Sequence, residues 1–78
     1  MSATLQETSV ISRKLAVLLE ELNEECTYVQ SLIAHLKLSN LTAGQVEEIL
    51  AELNAAVVHL STHTTNLDDV IAEEIDKL

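Results

Sequence analysis

Hydrophobic positions along this chain recur at spacings of three and four, and no run alternates with period two. That pattern predicts helices and excludes strands. With Leu15 taken as position a of a heptad, Ile11, Leu15, Leu18, Leu19, Leu22, Cys26, Val29, Leu32, Ile33 and Leu36 fall at a, d or e. A second set begins at Val46 and continues through Ile49, Leu50, Leu53, Ala56, Val57, Leu60, Leu67, Val70 and Ile71. Near the end the apolar phase slips, with Ile75 and Leu78 following Ile71 at spacings of four and three. Each set is the broad stripe of a helix that faces a core.

The break between the two helices falls at 38–42. Asn40 tolerates the left-handed backbone that ends a helix, which lets Leu41 fold back toward Leu36. Thr42 and Gln45 have the spacing of a capping box, and Leu41 and Val46 stand at the hydrophobic staple positions around it. Thr4 and Glu7 repeat the capping-box spacing at the first helix. Lys37 and Lys77 fall in last turns and Glu7, Glu47 and Glu48 in first turns, as the helix dipole prefers. One domain is therefore expected: an all-α antiparallel helical hairpin, with helix one at about 4–39, a turn at 39–42 and helix two at about 42–77. Each arm would be about 50 Å long. The segment 61–66 (Ser-Thr-His-Thr-Thr-Asn) is poor in helix formers and is a candidate kink. The apolar phase survives it from Leu60 to Leu67, so continuation is the stronger expectation.

The stripes are too wide for one another. A facing helix covers a and d, whereas Leu19, Cys26, Ile33, Leu50, Val57 and Ile71 are apolar at e. Full burial of a large aliphatic side chain is worth about 1.5–3 kcal/mol, and ordering the chain costs about 1.5 kcal/mol per residue, so a half-covered pair of helices is marginal. The expected remedy is a second copy, giving a four-helix bundle as a homodimer. Leu15, Leu18, Leu22, Val29, Leu53, Leu60 and Leu67 would form the seam within the hairpin, and Leu19, Ile33, Leu50, Val57 and Ile71 the interface. The same stripe suits another helical protein. Ala51, Ala55, Val58 and Thr62 line the back of helix two, with Val10 and Val17 on the back of helix one, and read first as ordinary surface residues.

Composition narrows the function. Thirteen Asp and Glu against four Lys and Arg give a formal charge of −9 and a pI near 4.4. Four cations do not make a nucleic-acid footprint, and the charge opposes anionic membrane surfaces. The chain has no Pro, Trp or Phe and a single Tyr28, so base-stacking platforms are missing. One cysteine makes no disulfide scaffold. The first residues lack a cationic and apolar leader, and the charge-free run 53–67 is too short and polar to span a bilayer. A cytoplasmic protein without membrane or nucleic-acid partners is expected.

Candidate chemistry is sparse. His59 and His63 stand one helical turn apart, the spacing of helical zinc ligands, but two ligands make no site and the HExxH pattern is absent. A third ligand would have to come from Asp, Glu or another chain. His63 falls at d and reads as a polar layer that fixes register, so no metal or other cofactor is expected. Cys26, beside Glu24 and Glu25, is a poor setting for a nucleophilic thiolate and reads as a core-edge residue. Glu20, Glu21, Glu24 and Glu25 form one acidic patch and Asp68, Asp69, Glu73, Glu74 and Asp76 another, without the EF-hand loop pattern. No phosphate-binding or nucleophile motif is present, and two rods offer no catalytic cleft. The expectation is a non-enzymatic protein–protein interaction module, with no catalytic residues. The alternative is an acidic regulator that binds or neutralises a basic protein.

Overall fold

A computed structural model describes residues 11–78. Among these the fold is all-helical: α1 (Arg13–Leu36) and α2 (Ala43–Lys77) pack against each other as a hairpin. The helices are antiparallel, since Tyr28 meets Glu52 near the turn while Ser12 meets Glu74 at the open end. The molecule is 51 Å long and 13 Å through its thinnest direction, the thickness of one helix.

The turn follows from local chemistry. Asn40 sits at φ 72°, a left-handed conformation that Asn accepts better than most residues. The Thr42 hydroxyl accepts from the Gln45 N–H at 3.1 Å, and the Gln45 side chain accepts from the Thr42 N–H at 2.9 Å. Two otherwise unpaired backbone donors are thereby satisfied reciprocally. α1 ends at Leu36 rather than near 39. Lys37 and Leu38 donate back to Ala34 and His35 with three-residue spacing, tightening the exit before Asn40 reverses the chain.

The start of α1 corrects the sequence expectation. The helix begins at Arg13, not near residue 4, because Ser12 is extended (φ −68°, ψ 158°) and caps it. Its hydroxyl accepts from the Leu15 N–H at 3.2 Å. Position N3, where a capping box needs Glu or Gln, is held by Leu15. The missing carboxylate comes from the other helix: Glu74 accepts the Ser12 N–H at 3.0 Å, across 62 positions of sequence. A capping box is completed in three dimensions, and it also puts a negative charge at the positive end of the α1 dipole. The predicted Thr4–Glu7 capping box lies outside the described residues.

α2 runs unbroken through the candidate kink at 61–66. The Thr64 and Thr65 hydroxyls both donate to the Ser61 carbonyl, and Thr62 donates to the Val58 carbonyl. Threonine's polar group is thus absorbed by the helix itself.

The seam follows the heptad. Positions a and d of α1, from Leu15 to Leu36, are all buried or partly buried, as are those of α2 from Val46 to Glu74. The tightest cluster lies toward the open end, where Leu15, Leu67 and Val70 are buried with Ile11, Leu18, Leu19 and Leu22 packed against them. Outside a and d every α2 position is exposed. The late slip in apolar phase does not turn the helix: Glu74 at position a is buried, while Ile75 and Leu78 are exposed.

Candidate functional site

In an antiparallel pair the two e rows flank the seam on one side and the two g rows on the other. The hairpin therefore has two unlike faces. The apolar face carries Ile33 on α1 and Leu50, Val57 and Ile71 on α2, which are 38–49% exposed although large and aliphatic. Leu19 differs from the other predicted interface residues: it is partly buried and packs on the Leu15–Leu67–Val70 cluster. Cys26, also at e, is a partly buried free thiol. The b positions bordering the middle of this face are Asn23, Gln30, Asn54 and Ser61, all polar and uncharged.

The opposite face is polar and grooved. Three shallow grooves of about 330–370 Å³ lie along it, lined from d, g and c positions such as Tyr28, Glu52 and His59, or Lys14, Asn66 and Glu73. Acidic residues concentrate here: Glu21, Glu24, Glu48, Glu52, Asp69, Glu73 and Asp76 all fall at g or c. Glu21 and Glu52 are engaged within the chain, as is Glu74 in the seam. The Tyr28 hydroxyl donates to Glu52 Oε1 at 3.0 Å, and this bond, with the nearby carboxylate charge, raises the phenol above its usual 10.0. Glu74 is held below the usual carboxylate value, first by the Ser12 backbone N–H and then by the Ser12 side chain. Lys77 Nζ, 3.7 Å away, acts in the same direction.

At mid-length a histidine–carboxylate cluster crosses the seam. His59 Nε2 lies 3.1 Å from Glu25 Oε2, and His63 Nδ1 lies 3.0 Å from Glu25 Oε1. The second nitrogen of His63 lies 3.3 Å from Glu21 Oε1. The two imidazoles meet edge to face with centroids 5.4 Å apart. The approach of His63 to Glu25 is close but not aligned as a hydrogen bond: Glu25 Oε1 is buried and accepts none. Sequence reasoning paired His59 with His63 but missed Glu25, which it assigned to a surface acidic patch. The signal was available, for Glu25 is a carboxylate at position d of α1 and His63 an imidazole at position d of α2. His35 stands apart, lining a groove with Leu41 and Gln45 near the turn.

Comparison with protein-family models, curated proteins and solved structures finds no match to this chain. Among the described residues no helix is long and apolar enough to cross a membrane.

Proposed function

We propose that this chain is a non-enzymatic interaction protein whose hairpin pairs with a second copy across the apolar face, forming a four-helix bundle. The observation that carries this reading is the row of Ile33, Leu50, Val57 and Ile71, left half open to water beside a seam that covers only a and d. The face is also suited to meeting itself. Both helices contribute apolar e residues, and a two-fold axis brings each row against its copy. The uncharged border of Asn23, Gln30, Asn54 and Ser61 limits repulsion between chains that each carry −9.

The acidic residues favour this reading over charge-based capture of a basic protein, because Glu21, Glu25, Glu52 and Glu74 are already engaged within the hairpin. Solution mass by light scattering tests the proposal. Twice the 8.5 kDa chain mass is expected. A stable helical monomer at high concentration removes the self-pairing reading and leaves the same face to a different helical protein.

A further inference from the structure

We propose that Glu25, His59 and His63 bind a divalent transition metal of the zinc class, with Glu21 orienting His63 from outside the coordination sphere. One ligand atom from each of the three residues lies within 4.8 Å of the other two. A tetrahedral ion with ligand bonds of about 2.0–2.1 Å spaces its donors about 3.3–3.4 Å apart. The contacts of 3.1 Å from His59 to Glu25 Oε2 and 3.0 Å from His63 to Glu25 Oε1 are each near that edge length, so the carboxylate reaches both imidazoles with its two oxygens.

Lone pairs point the same way. A neutral imidazole has one N–H, yet both nitrogens of His63 face carboxylates. If Nε2 donates to Glu21, Nδ1 presents a lone pair toward Glu25 and His59. That is the second-sphere arrangement in which a carboxylate fixes the tautomer of a metal-binding histidine. The buried, unbonded Oε1 of Glu25 is a further acceptor with no donor aligned to it. A cation among these atoms satisfies all of them together. Two imidazoles with a carboxylate select zinc-like ions over calcium or magnesium, which prefer sets of oxygen ligands. The groove lined by Glu25, Tyr28, Glu52 and His59 opens onto the cluster, giving the ion a route in and leaving a fourth position to water. The cluster crosses the seam and its groove opens on the polar face, opposite the apolar row, so it stands independently of self-pairing.

The test is calorimetric titration of the metal-free full chain with Zn²⁺, with Ca²⁺ as the contrasting ion and Co²⁺ as the spectroscopic probe. One Zn²⁺ per chain, a higher melting temperature with Zn²⁺, and intense visible Co²⁺ bands of tetrahedral type are expected. Glu21→Gln should weaken Zn²⁺ binding about 10–100-fold. His59→Ala should weaken it at least as much as that; its side chain is 67% exposed, so helix content by circular dichroism should not change. Absence of Zn²⁺ binding, equal affinity in His59→Ala, or displacement of Zn²⁺ by equimolar Ca²⁺ overturns the proposal.

Discussion

Val57 sits at the middle of the apolar row and is 49% exposed, so a partner can cover about half of its side chain. Complete burial of such a side chain is worth about 1.5–3 kcal/mol, which leaves about 1 kcal/mol per copy to be gained at the interface. A two-fold dimer counts the residue twice, and about 2 kcal/mol is a change of roughly 30-fold in dissociation constant. Val57→Asp removes this gain and sets two carboxylates against an apolar surface, so the loss should be at least that large. The effect on the isolated hairpin should stay within about 0.5 kcal/mol, as for other exposed substitutions. Sedimentation equilibrium over a concentration series measures the first quantity and thermal circular dichroism the second. Val58→Asp is the matched control: Val58 is more open, at 60%, but lies on the back of α2 at position f. It should leave the dimer intact, as should paired reversal of Glu20 and Glu24 to lysine. If Val57→Asp pairs normally while Val58→Asp separates the chains, the contact runs along Ala51, Ala55, Val58 and Thr62 and the reasoning from the e row is wrong.

Thr42→Ala removes the acceptor of the Gln45 N–H and should cost about 0.5–2 kcal/mol. At about 4–8 °C per kcal/mol for a domain of this size, the melting temperature by circular dichroism should fall clearly, whereas Thr42→Ser should restore most of the loss. Glu74 has a folded-state pKa below its usual 4.5, so it contributes stability above that value. This contribution is lost as pH falls from there through the depressed folded value. Melting temperature should therefore drop more steeply over that acidic window in the native chain than in Glu74→Gln, and equal slopes would count against the trans cap. Tyr28 is the single aromatic residue, so its ionisation can be followed directly by ultraviolet absorbance; Glu52→Gln should lower its midpoint toward 10.0.

Local signals in the sequence translated well into structure where both partners are near neighbours. Asn40, Thr42 and Gln45 complete the turn among themselves, so their spacing alone is informative. The seam was legible for a related reason: a strict alternation of three and four positions leaves a helix only one face to bury. What escaped reading depends on partners distant in sequence. Ser12 lacks an acceptor at its own N3 position, and nothing nearby announces that Glu74 will provide it. Glu74 then lies inside the seam although the apolar pattern, followed through Ile75 and Leu78, suggests that the helix turns. The histidine cluster repeats the lesson. His59 and His63 are visible as a pair, but Glu25 joins them only once the antiparallel register is fixed. The threonines of 61–66 mark a candidate kink, but the apolar phase from Leu60 to Leu67 favours continuation, and the helix does continue: these poor helix formers return their hydroxyls to the helix's own carbonyls.

The bond between Ser12 and Glu74 has a kinetic meaning. The turn at Asn40 closes a very small loop, and each layer of the zipper beyond it encloses a slightly larger one, so assembly proceeds cheaply from the bend outward. The clasp bridges 62 positions, near the open end of the described residues. The opening turn of α1 and the closing turns of α2 are thereby tied together, and their amide hydrogens should exchange as one unit.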